Sequence, residues 1–374
     1  MNPSTSSAFT KPVDRRQFLR YIGIGGATVG GAMVLAACST DGGTAAVGAS
    51  ATASAQNFGT IGLALSWIKN VEFAGEYFAT EKGYYAGAGF DEVTLLAGGG
   101  QTGPIESVVG GQALIGLVAD CGQAGASVSS GAPIKIIGAH LVKSASCLLS
   151  LQEKTPITTL ADVKGKKIGL QTDAVPEFQA LLELNGMSID DVDVVTVQYD
   201  IAPLVTGACD AFCSFATNEP LIAEEQGYTP VIMYYADYGL PLVGDAFVVT
   251  EDTLSTKRDL LKAFLKAEAQ GWADAINDPT QSATLAVTKY GADQDLSQDQ
   301  QVAEIKAQSL LMVDSDVVAN GLFTMTDALI AANVKGMVAL GYSVTADMFD
   351  LSLINEVYSE NPDLIVSLPL ATAG

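Results

Sequence analysis

Between residues 60 and 235, short apolar runs alternate with longer stretches whose apolar positions recur every three or four residues. Runs 61–65, 93–97, 114–119 and 134–140 have the length and composition of buried strands. Residues 74–82, stopped by Gly83, and 103–110 read as helices between them, and a Gly/Ser-rich helix runs on to Ser130. A second series begins near Leu148, with strands at 168–171, 192–197, 210–215 and 231–235. Helices at 176–184, closed by Asn185-Gly186, and at 220–226 separate them. Strand–helix alternation at these lengths predicts parallel sheets with helices on both faces, and two series in tandem predict two α/β domains. From Lys257 to Gly374 the pattern is mainly helical, and the amphipathic stretch 260–276 is suited to cover a sheet.

The N-terminus breaks this pattern. Asp14-Arg15-Arg16-Gln17-Phe18-Leu19-Arg20 resembles a twin-arginine export signal, with Asp where Ser or Thr is commoner. A Gly/Ala-rich apolar run follows and ends in Leu35-Ala36-Ala37-Cys38. Basic region, short apolar stretch and small residues before a processing point are the parts of a signal peptide. Leu-Ala-Ala-Cys is a lipobox, in which the Cys38 thiol takes a diacylglycerol. Residues 1–38 are therefore expected to be a lipoprotein signal peptide. Residues 39–56, almost all Ser, Thr, Gly and Ala, are expected to be a flexible tether. The expected location is extracytoplasmic, on a Gram-positive surface or in a periplasm, with the membrane reached through acylated Cys38.

Charge narrows the partners. The chain of 374 residues has 19 Lys and Arg against 42 Asp and Glu, a net of −23. Beyond residue 38 the counts are 15 and 41, near −26. Such a surface repels phosphate backbones, so nucleic acid is excluded as a partner. Cys121, Cys147, Cys209 and Cys213 are an even set in an oxidising compartment, so disulfides are allowed; buried free thiols are the favoured reading. His140 is the sole histidine and no His/Cys metal spacing exists, so it reads as structural, and neither metal nor cofactor is expected.

Several ordered motifs carry a family resemblance. Trp67-Ile68-Lys69-Asn70, Gly75-Glu76-Tyr77-Phe78-Ala79 and Glu81-Lys82-Gly83-Tyr84-Tyr85 resemble the opening of the thiamine-precursor, nitrate and sulfonate/taurine solute-binding proteins of ABC importers. Segments 130–135, 160–169, 209–212, 217–220 and 262–267, with Gly271-Trp272, fit the same family in the same order. The resemblance spans about 60–358. It implies a two-lobed periplasmic-binding-protein fold, type II-like, with two doubly wound α/β sheets joined by a two-segment hinge. Crossings are placed near 146–151 and 239–247, giving lobe one as 57–147 plus 245–374 and lobe two as 148–244. A monomer is expected, delivering a small-molecule ligand to an ABC permease and ATPase rather than acting as an enzyme.

Ligands of such folds sit beyond the carboxyl ends of strands. Trp67 offers an indole face for stacking, Asn70 a two-way hydrogen-bonding amide, and Glu72 an acceptor for amino groups. Gly99, Gly100 and Gln101 present amides after the second strand, and Asp120 follows the third. In the second series Thr172, Asp173, Glu177, Asn218 and Glu219 follow strand ends, and Tyr238 lies near the return crossing. No Arg occurs between Arg20 and Arg258, whereas a nitrate or sulfonate site wants cations or dense amides. The expected ligand is therefore an aminopyrimidine thiamine precursor or a similar flat heterocycle, such as a flavin precursor or purine. Nitrate, sulfonate or taurine is the alternative within the family. A single-turnover pyrimidine synthase is the alternative outside it, but the histidine such enzymes carry three residues after W-x-x-N is Phe73 here.

Overall fold

The computed structural model describes residues 56–368 other than Gln101 and Asp173. The twin-arginine motif, Cys38 and the tether up to residue 55 lie outside the described residues, as do two candidate ligand residues, Gln101 and Asp173.

Two five-stranded sheets form the frame. The first contains β1 (Gly59–Ala64), β2 (Phe90–Leu96), β3 (Ile115–Asp120), β4 (Ile134–Leu141) and β10 (Gly244–Thr250), in the order β2-β1-β3-β10-β4. The second contains β5 (Ser146–Leu151), β6 (Lys167–Leu170), β7 (Asp193–Thr196), β8 (Ala211–Phe215) and β9 (Pro230–Tyr234), in the order β7-β6-β8-β5-β9. These are the two α/β lobes.

Neither sheet is wholly parallel, which corrects the alternation reading. β10 runs antiparallel to both β3 and β4, and β5 runs antiparallel to β8 and β9. Both are the strands by which the chain enters a sheet from the other lobe, without an intervening helix to reverse direction. Every residue of β5 is buried, as is all of β10 except Thr250. They therefore read as plain apolar runs, and an apolar run carries no sign of direction.

The crossings run through 142–145 and 235–243, somewhat earlier than expected, since 146–151 is itself β5. They lie side by side: the Ser144 N–H donates to the Pro241 carbonyl at 3.1 Å. Helix Asp327–Ala339 locks onto them. The Asn333 side-chain oxygen accepts from the Val243 N–H at 2.8 Å and from Cys121 Sγ at 3.0 Å. Beside it one apolar cluster joins Val118, Ala246 and Val248 of the first sheet to Leu148 and Ile168 of the second and to Phe178 of helix Val175–Leu184.

The first sheet carries most of the chain's helix. Helix Ala74–Glu81 crosses helix Arg258–Asn277 at two glycines. A Cβ at Gly75 would sit 2.1 Å from the Trp272 ring, and one at Gly271 would sit 2.2 Å from the Gly75 carbonyl oxygen. Only glycine permits that approach. All four described cysteines are buried, and none of them forms a disulfide.

Candidate ligand-binding site

After β1 the chain makes a loop, a 3-10 turn at Val71–Phe73, and then helix Ala74–Glu81. Helix Gln298–Met312 holds this loop from behind. Its Gln301 Oε1 accepts from the Val71 N–H at 2.7 Å, and its Gln308 amide donates to the Glu72 carbonyl at 3.0 Å. Asn70 caps the turn: its Oδ1 accepts from the Glu72 N–H at 3.1 Å and its Nδ2 donates to Glu304 at 2.9 Å. The Asn70 carbonyl accepts from the Tyr77 hydroxyl at 2.8 Å. Asn70 is thus spent on the fold, and the residue it presents is Glu72.

Glu72 faces the space between the two sheets. That space, a cavity of about 40 Å³, is lined by Glu72, Ala119, Leu141, Asp245 and Gln308 on the first-sheet side. Ala145, at the crossing, and Phe215 and Thr217, at the end of β8, line the other side. The Ser66 hydroxyl lies 2.8 Å from Glu72 Oε1 and 3.2 Å from Asp245 Oδ1. One hydroxyl proton serves only one of them, so the two carboxyls compete for it. Burial pushes the Glu72 carboxyl above its ordinary value, with hydrogen bonds from Ser66, Asp245 and Asn70 offsetting part of the rise. Burial pushes Asp245 well above its own, and repulsion from Glu72 adds to this. Asp245 also takes a left-handed backbone, φ 45°, at the start of β10. That conformation is uncommon outside glycine, although Asp tolerates it better than most. No Lys or Arg lines this space.

The other predicted residues are placed as follows. Trp67 is 45% exposed in the loop after β1, and Gly99 of the loop after β2 lies against its ring and Ile68. The Gly98 N–H donates to the Trp67 carbonyl at 2.8 Å, which ties the two loops together. Gly100 has open space around it. Asp120 caps helix Cys121–Ser129, accepting from the Gln123 N–H at 3.2 Å. Thr172 is exposed, and Glu177 lies in the first turn of helix Val175–Leu184. Burial raises the Cys121 thiol well above its ordinary value, and the Asp120 charge adds to the rise. Asn218 is exposed before helix Glu219–Glu225. Glu219 is buried and clamps the end of β8, accepting from the Ser214 hydroxyl at 3.0 Å and the Phe215 N–H at 2.9 Å. The Tyr238 carbonyl accepts from Asn185 at 2.9 Å. Of the eleven that are described, only Glu72 lines the space between the sheets. The residues that join it there, Asp245, Phe215, Thr217 and Gln308, were not singled out; Asp245 lay within the expected second crossing, the one hint available.

Comparisons with known proteins come to the same frame. A family described as NMT1/THI5 like matches residues 70–282, more than half of the chain. The riboflavin-binding protein RibY of Chloroflexus aurantiacus is 26% identical over 273 residues, 68% of this chain and 74% of that one. A Haemophilus influenzae protein named for thiamine biosynthesis is 27% identical over 150 residues, 38% of this chain and 46% of its own. Among solved structures, the periplasmic nitrate-binding protein NrtA of Synechocystis PCC 6803 superposes with a TM-score of 0.58 at 17% identity, covering 83% of this chain and 92% of that one. The chain belongs to the NMT1/THI5-like family and has the two-lobed periplasmic-binding-protein fold.

Proposed function

We propose that this NMT1/THI5-like protein is an extracytoplasmic solute-binding protein that takes a flat, N–H-bearing heterocycle between its lobes and passes it to an ABC importer. The observation that carries the reading is the acidic pair, Glu72 and Asp245, on a cleft wall without a cation. Two carboxyls side by side offer strong acceptors, which match the N–H and amino groups on the edge of a flavin or aminopyrimidine. The same pair repels nitrate or a sulfonate. Phe215, 42% exposed, and Trp67 supply ring faces at the cleft and beside it. The relatives named for riboflavin binding and thiamine biosynthesis favour a heterocycle over an anion. Phe73, where the synthases carry histidine, is fully buried in the first lobe's core and offers a ligand no base. Cys38 serves as the lipid anchor, residues 39–56 as the tether, and the permease and ATPase as the partners.

The test is calorimetric titration and thermal shift with riboflavin, a 4-aminopyrimidine, adenine, nitrate and taurine. A heterocycle at 100 times its Kd adds roughly 2.7 kcal/mol, a shift of a few degrees. Asp245→Asn and Glu72→Gln are each expected to weaken it at least tenfold, and Trp67→Ala less. Binding of nitrate or taurine alone would overturn the ligand class. Retention of full heterocycle affinity in both carboxyl variants would overturn the site.

A further inference from the structure

Away from the cleft, three ionisable side chains meet in the core of the first lobe. Glu76 comes from helix Ala74–Glu81, Glu268 from helix Arg258–Asn277, and His140 from β4. Their relative exposures are 0%, 0% and 1%. The Gly75–Gly271 crossing is what brings the two glutamates together. Glu76 Oε1 lies 3.7 Å from His140 Nε2, and one donor atom from each of the three lies within 4.8 Å of the others.

The cluster is unsatisfied. Both Glu76 oxygens, both His140 nitrogens and Glu268 Oε2 lack hydrogen-bond partners; Glu268 Oε1 accepts from the Tyr85 hydroxyl. Phe247, Trp272 and Phe323 enclose the imidazole, with ring centroids 4.7, 4.9 and 5.1 Å away. Among the described residues no Lys or Arg forms an ion pair with either glutamate. Buried carboxyls with idle lone pairs beside an idle imidazole and the idle Trp272 N–H are costly unless the carboxyls take up protons or something with two positive charges sits among them. A divalent cation fits that need by charge: two carboxylates, one neutral imidazole and M²⁺ sum to zero in a dry core.

We propose that Glu76, His140 and Glu268 bind one divalent transition-metal ion of the Zn²⁺ or Mn²⁺ class as a structural brace across the helix crossing. Imidazole with carboxylate suits these borderline cations. Bonds of about 2.0–2.2 Å at tetrahedral angles put donors roughly 3.3–3.6 Å apart, so the three side chains, whose donors lie within 4.8 Å of one another, close by about an ångström around the ion. The site is enclosed by both helices, so the ion enters as the lobe folds and does not exchange afterwards. This is independent of the cleft, and its ligands lie 64 and 128 residues apart along the chain, beyond any spacing motif.

The test uses the full mature chain, without a histidine tag, from cells grown with Zn²⁺ and Mn²⁺. Elemental analysis is expected to give about one equivalent of one of these metals, which EDTA does not strip from the folded protein. Refolding from urea with EDTA is expected to give a metal-free form melting at least ~5 °C lower. Full stability should return only when the metal is present during refolding. Refolding with Co²⁺ should give a visible ligand-field band, absent from the Glu76→Gln/Glu268→Gln double variant. Less than about a tenth of an equivalent in the native chain, with no gain on refolding in either metal, would overturn the site. So would equal metal retention by the double variant. If that variant fails to fold, the native stoichiometry and the Co²⁺ band decide the matter.

Discussion

The two sheets share one strand plan, three parallel strands, an antiparallel crossing strand and a fourth strand, but they bury different chemistry. The second lobe hides thiols, Cys147, Cys209 and Cys213, and one glutamate, Glu219, whose Oε2 takes two hydrogen bonds. The first lobe hides Glu76, His140, Asp245, Glu268 and Glu304, with Glu72 at its edge, and few of them have full partners. Topology does not cause this difference. Glu268, Gln301, Glu304 and Gln308 all come from helices added after the chain re-enters the first sheet. The extra layer dries the groups beneath it and raises their pKa values, while in the second lobe β7 remains largely exposed. The acids that line the cleft accordingly sit on the thick lobe's wall, and the thin lobe contributes Phe215 and Thr217 to the facing side.

The contrast is broken most directly at the helix crossing. Gly271→Ala places a methyl 2.2 Å from a backbone oxygen, and is expected to cost 3 kcal/mol or more, of order the largest overpacking effects. Gly169→Ala in β6 meets side chains alone, Cys209 Sγ at 3.1 Å, Val197 at 3.2 Å and Phe212 at 3.4 Å, and should cost ~1 kcal/mol. Urea unfolding of both variants measures the gap, and equal losses would remove the claim that the first lobe is the tighter one.

A smaller effect comes from Glu304, which burial lifts from 4.5 to about 8, with repulsion from Glu72 adding to it. An acid that holds its proton more tightly when folded stabilises the fold fully below the unfolded value. That advantage is lost as pH rises from 4.5 towards 8. Glu304→Gln should be near neutral at pH 5 and gain roughly 2 kcal/mol at pH 8.5. Parallel melting curves for variant and parent across that range would sink the argument.

The smallest effect is expected in the second lobe. Its buried thiols are held above their ordinary value, chiefly by burial, Cys147 well above and Cys209 at about 11. They should not react with a thiol reagent in the folded state, and dithiothreitol should move the melting point by less than ~1 °C.

Much of the frame was legible in the alternation of apolar runs, because buried strands bounded by turns leave that mark. β5 and β10 were not, since Ser-Cys-Leu-Leu-Ser-Leu and Gly-Asp-Ala-Phe-Val-Val-Thr look alike in either direction. At the cleft Glu72 was legible as the acid following a strand end. Asn70, Asp120 and Glu219 share that position but are consumed by caps and clamps, jobs the same residue types perform. Asp245 and Gln308 reach the cleft only through the return crossing and a helix more than 180 residues beyond β3, so no local pattern could announce them. His140 looked solitary for the same reason: its neighbours are carboxylates from two distant helices.

The place of β10 between β3 and β4 has a consequence for synthesis. β3 and β4 are consecutive in the chain yet do not touch as strands; β10 must fill the gap. Roughly 100 residues separate β4 from β10, about 5–20 s of translation at typical rates. The second lobe, whose crossing strand β5 is made first, can finish as soon as β9 emerges. The first lobe waits with an incomplete sheet while its neighbour is already folded, and its apolar edges are the surface a nascent-chain chaperone would meet.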